Sequence, residues 1–107
     1  MVRYAILGSV ELHDGQRRVA VGGPRQVALL AALLISANHA LSADRLIDAL
    51  WSDLDEAGAV KRLQVAITRL RRTLDPDGLH GEPALRTVGG GYLLAVRPGE
   101  LDAEVFQ

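Results

Sequence analysis

The chain contains no cysteine. This excludes a disulfide scaffold and any thiolate metal site, and it is compatible with a reducing cytosol without proving one. Aromatic residues make up 4% of the 107 positions. A core must therefore be built from Leu, Val, Ile and Ala, which is feasible in a chain that is 49% hydrophobic and has the length of one domain. Long apolar runs are missing too. The longest, VALLAALLI at 27–35, falls well short of the about 20 residues that span a bilayer. VRYAILG at the start lacks a basic region followed by a long apolar run, so no signal peptide is expected and a cytoplasmic location is. Neither sign of charge is in excess, with 12 Lys and Arg against 13 Asp and Glu. The overall balance points to no particular partner.

The charges are nonetheless segregated. Residues 44–56 hold five acids and one Arg, residues 59–74 hold five Lys or Arg and no acid, and residues 98–107 hold three acids and no base. Such separation builds opposed faces.

Three short strands are expected over the first 21 residues. Val10 and Leu12 alternate with Glu11 and His13, the period of a half-buried strand. Asp14-Gly15 signals a tight turn, and Gly22-Gly23 ends the meander. Pro24 suits the first turn of a helix over 25–37, with Leu29, Leu30, Leu33 and Leu34 facing the core. Ser42 is placed to cap a second helix, ADRLIDALW, with Asp44 in its first turn and Leu46, Ile47, Leu50 and Trp51 on its inner face. Residues 52–58 are acidic, end in glycine, and are expected to form a loop. A basic helix follows to about Leu74, where Asp75-Pro76-Asp77-Gly78 stops it. ALRTV and YLLAV, separated by glycines, predict a hairpin over about 84–96. The acidic stretch at 98–107, with Val105 and Phe106 near its end, is suited to opening a further element.

At about 100° per residue, Val60, Leu63, Ile67, Leu70 and Leu74 fall within one stripe roughly 80° wide, the expected buried face. Lys61, Arg62, Val65, Thr68, Arg69 and Arg72 lie around the opposite side, and Gln64 and Arg71 lie toward the flanks. A helix dry on one face and cationic on the other is suited to a major groove. Lys and Arg neutralise phosphates, Arg reads guanine edges with two donors, and Val65 or the Thr68 methyl fits a thymine methyl. A basic amphipathic helix is often just a solvated face. Here, however, no acids interleave with the bases to form pairs along the helix. A membrane surface also attracts such charge, but it needs a free apolar face, and this stripe is required to close a small core. Arg86, Gly90, Gly91 and Tyr92 of the hairpin form a second candidate contact, although a turn that needs glycine explains the glycines equally well. Arg25, after Gly22-Gly23-Pro24, is a candidate phosphate contact at a helix start. No catalytic constellation is present. His13, His39 and His80 are dispersed, and no metal-ligand spacing occurs, so neither metal nor cofactor is expected.

LGSVELHDG at 7–15, GGPRQVALLAALLISAN at 22–38, LSADRLIDALW at 41–51, LQVAITRLRRTL at 63–74 and GGGYLLAV at 89–96 together resemble the N-terminal DNA-binding domain of the Streptomyces antibiotic regulatory protein family. The resemblance implies an α+β fold, an OmpR-type winged helix with an N-terminal antiparallel sheet, three helices and a C-terminal hairpin wing over residues 1–97. It implies a transcription activator of antibiotic or other secondary-metabolite genes that binds double-stranded DNA at tandem direct repeats. Residues 59–74 would be the recognition helix. The 52–58 loop would be available to RNA polymerase or a neighbouring subunit, with weak or DNA-dependent self-association. LDAEVFQ is similar to the opening of the helical activation domain that follows in the family. Two positions depart from the family pattern: Arg62 stands where an Asn is usual, and Gly89 replaces the usual aromatic or Ser-rich approach to Gly-Tyr. Both bear on base preference. A winged-helix module that binds only protein, its charged helix meeting an acidic partner, is the alternative.

Overall fold

The computed structural model describes residues 2–6, 10–14, 17–75, 83–97 and 101–102. The chain opens with β1 (Val2–Ile6), β2 (Val10–Asp14) and β3 (Arg17–Val19). They form the expected antiparallel meander, with Tyr4 opposite Leu12 and Leu12 opposite Val19. The turn at Gly15 lies outside the described residues.

Helix α1 (Pro24–Ile35) begins with Pro at its first turn and buries Leu29, Leu30, Leu33 and Leu34. Asn38 ends the following turn in the left-handed region at φ 67°, which Asn tolerates better than most residues. Its side chain accepts from the Val96 N–H at 2.9 Å and donates to the Val96 carbonyl at 3.1 Å, and its N–H donates to the Leu94 carbonyl at 2.9 Å. These bonds fasten the C-terminal strand of the hairpin to the end of α1. A two-residue strand that the sequence pattern did not reveal, β4 (Leu41–Ser42), comes next. In α2 (Ala43–Leu50) the Ser42 hydroxyl oxygen accepts from the Arg45 N–H at 3.2 Å, the expected cap. Leu46 and Trp51 are buried, with Ile47 and Leu50 half-buried beside them.

Helix α3 (Glu56–Leu74) starts three residues earlier than the sequence reading placed it, so the loop before it is correspondingly shorter. Asp55 is the reason: its carboxylate accepts from the Gly58 N–H at 3.0 Å, and Glu56 sits in the favourable first turn. A Cβ at position 58 would stand 2.6 Å from Asp55 Oδ1. Gly58 therefore makes room for the cap rather than closing a loop. The buried face of α3 is Ala59, Leu63, Ala66, Ile67, Leu70 and Leu74. Val60, expected in that stripe, is 39% exposed. The dry arc is centred on Leu63 and Leu70, and the small Ala59 and Ala66 complete it. Weighting the larger apolar residues had rotated the expected face toward Val60.

The hairpin β5 (Leu85–Val88) and β6 (Gly91–Leu94) turns at Gly89-Gly90, with Gly89 at φ 55°, a conformation glycine adopts without steric cost. Strand order in this sheet is β4-β6-β5. The last described strand, β7 (Leu101–Asp102), pairs in parallel with β1 at the edge of the first sheet. The residues beyond it, including Val105 and Phe106, lie outside the described residues. The core joins Tyr4, all three helices, Leu85 and Leu94.

Gly91 is buried where β6 meets β4. A methyl group there would overlap the Leu41 carbonyl oxygen and stand 2.8 Å from Ser42 Cα. Both obstacles are backbone, so relief requires β4 to move. Gly91→Ala is expected to destabilise the chain by about 1–3 kcal/mol. Gly90→Ala, with nothing within 4 Å of its Cβ, should stay within about 0.5 kcal/mol of wild type. Urea denaturation of the two variants checks this, and equal midpoints would refute it.

Candidate nucleic-acid interface

Helices α2 and α3, joined by residues 51–55, form a helix-turn-helix whose second helix turns its dry face to α1 and α2. The outer face of α3 carries Lys61, Arg62, Gln64, Val65, Thr68, Arg69 and Arg72, all exposed. Val65 is 42% exposed, an apolar spot within a basic surface. The Thr68 hydroxyl donates to the Gln64 carbonyl at 2.9 Å. Among the described residues, the side chains of Lys61, Arg62, Arg69 and Arg72 have no hydrogen-bond or ion-pair partner. Four cations thus lie on one helix face, and no described acid pairs with them.

The other candidates are placed differently. Arg25 faces Asp53 at 3.4 Å, with 52% and 63% of the two side chains exposed. A pair so solvated contributes little stability, and it puts a carboxylate beside the expected phosphate contact. Next to it, Gln26 Nε2 donates to the Ala66 carbonyl at 2.8 Å, tying the start of α1 to the middle of α3. Arg86 is half-buried, and its Nε donates to the Pro83 carbonyl at 2.9 Å. It lies on the face of β5 opposite Leu85 and Thr87, since successive strand residues alternate. Gly89 and Gly90 are exposed at the tip, whereas Gly91 is buried and serves packing. Tyr92 is half-buried against the core. The tip therefore offers Val88 and bare glycine backbone rather than charge.

Arg71 is the residue the sequence reading left out. Its Nε donates to the Leu85 carbonyl at 3.2 Å and its Nη2 to the Thr87 hydroxyl at 2.7 Å, bridging α3 to the hairpin. Its flank position on the helical wheel was visible, but its partners, 14 and 16 residues away, were not. Among the described residues no cluster of His, Asp and Glu has the composition to hold a metal ion, and no helix is long and apolar enough to cross a membrane.

The family of transcriptional regulatory proteins, C-terminal domain, matches residues 17–94. The chain belongs to that family. It is an OmpR-type winged-helix regulatory domain related to the Streptomyces antibiotic regulatory proteins, a family of regulators rather than enzymes. It is 35% identical over 95 residues to the transcriptional regulatory protein MoaR1 of Mycobacterium tuberculosis, covering 89% of this chain and 30% of that protein. It is 36% identical over 102 residues to the regulatory protein AfsR of Streptomyces coelicolor, covering 94% of this chain and 10% of that one. The structure of Mycobacterium tuberculosis EmbR in complex with a low-affinity phosphopeptide superposes with a TM-score of 0.83 at 28% identity, over 94% of this chain and 26% of that one. The chain spans about a third or less of the length of these relatives.

Proposed function

We propose that this winged-helix domain binds double-stranded DNA sequence-specifically and directs transcription, with α3 in the major groove and the β5–β6 hairpin as the wing. The observation that carries this reading is the unneutralised cationic face of α3. Arg69 and Arg72, three residues apart on that face, divide the work between one base edge and one phosphate. Lys61 and Arg62 add phosphate neutralisation near the start of the helix, and Gln64, Val65 and Thr68 line the groove between them. Arg25 is a further phosphate contact once Asp53 yields it.

The regulator acts in the cytoplasm as an activator of secondary-metabolite genes, on tandem direct repeats. Head-to-tail neighbours would bring the acidic 52–58 segment of one copy toward basic residues of the next, and the same segment is available to RNA polymerase. Self-association is weak without DNA. The experiment is a titration with selected and scrambled duplexes at several salt concentrations. Binding should fall steeply with salt, and the selected duplex should bind at least about a thousandfold more tightly. Equal affinity for both duplexes would favour a protein-binding module instead. Sedimentation on one-repeat and two-repeat duplexes tests the assembly, and a tight two-fold dimer without DNA would refute it.

The wing supplies affinity more than base reading. Arg86→Ala is expected to weaken all duplexes by a similar factor, leave their ranking nearly unchanged and lower the salt slope by about one unit. Competition binding over a panel of operators measures this. Unchanged affinity would confine Arg86 to contacts within the protein.

A further inference from the structure

We propose that Arg71 is a positioning residue that holds the wing at a set angle to the recognition helix before DNA arrives. This rests on the DNA-binding reading of α3 and the hairpin. The hairpin is anchored at its base by the buried Leu85 and Leu94. On the β6 side it is held further out, by pairing with β4 and by the Ala43 N–H donating to the Gly90 carbonyl at 3.1 Å. Strand β5 is the opposite edge of the sheet, and its residues become exposed from Thr87 onward. Arg71 serves that edge. Its two acceptors are the Leu85 carbonyl, a backbone group of this edge strand, and the Thr87 hydroxyl one strand repeat further along.

A planar guanidinium matches two acceptors so spaced, and a lysine ammonium does not. No acid neutralises Arg71 among the described residues, so its bonds to the strand are charge-assisted. Its role differs from that of Arg69 and Arg72, whose side chains have no partner among the described residues. The last turns of α3 and the wing thus become one rigid body, and the ordering cost on binding falls.

The test uses Arg71→Lys, which keeps the charge and loses the fork, and Thr87→Val, which removes one acceptor at nearly constant shape. In the free chain both variants should speed amide exchange within residues 86–93 while α1 and α2 amides stay protected. On the selected duplex each should weaken binding by roughly three- to tenfold. The double variant should be no weaker than Arg71→Lys alone, and the salt slope should not change. If Arg71→Lys binds like wild type and Thr87→Val has no effect, Arg71 is a phosphate contact and the proposal is overturned. Tight wild-type binding with unaltered hairpin exchange in both variants also overturns it, leaving the DNA reading intact. Absence of duplex binding by the wild type would instead remove the DNA reading, and with it this role.

Discussion

Leu70→Ala is expected to lower the unfolding free energy by about 2–5 kcal/mol, the range for truncating a buried leucine in a packed core. Leu70 has no measurable exposure and lies near the middle of the dry arc of α3. It belongs to one core cluster with Leu29, Leu33 and Leu63, side chains carried by two packed helices. Collapse around the cavity should therefore be partial, and the cost should fall toward the upper part of that range. A chain of 107 residues has only about 5–15 kcal/mol in total, so the variant loses a large share of its stability. Val60→Ala provides the contrast. At 39% exposure, Val60 should cost within about 1 kcal/mol. Urea unfolding of both variants decides the matter. If they lose equal stability, the rotation of α3 described above is wrong.

Removing Arg69 and Arg72 together should have the largest effect on binding. The two side chains are exposed and have no partner among the described residues, so their loss leaves no described group unsatisfied and should barely change the melting temperature. On DNA the expectation is different. A lost bidentate base contact costs about 1–3 kcal/mol and flattens preference at one base pair. A lost phosphate contact weakens every sequence about equally and lowers the salt slope by about one unit. Single variants tested against a panel of one-base operator changes will show which Arg reads and which anchors. The double variant should lose roughly a thousandfold in affinity for the selected duplex, if each contact contributes near the middle of the base-contact range. A folded double variant with wild-type affinity would remove α3 from the interface.

The architecture was legible in the residues because its signals are local. The leucine spacing of α1, Ser42 before α2, the glycines between two apolar strands and the alternation through β2 each specify an element within a few positions. The bare cationic face of α3 was legible for the same reason, since helical periodicity alone separates Lys61, Arg69 and Arg72 from Leu63 and Leu70. The start of α3 was misplaced because Gly58 has two local meanings, a loop end or room for a cap, and only the Asp55 geometry separates them.

Local patterns along the chain therefore specify the order and type of most elements and the chemistry on each helix face. The tertiary structure decided the relations between distant segments. It set the pairing of Leu41 with Tyr92, the burial of Gly91 against β4, the Asp53 carboxylate beside Arg25 and the Arg71 bridge to Leu85 and Thr87. None of these leaves a periodic trace, because a contact between residues 14 to 51 positions apart depends on how the helices pack and not on spacing along the chain.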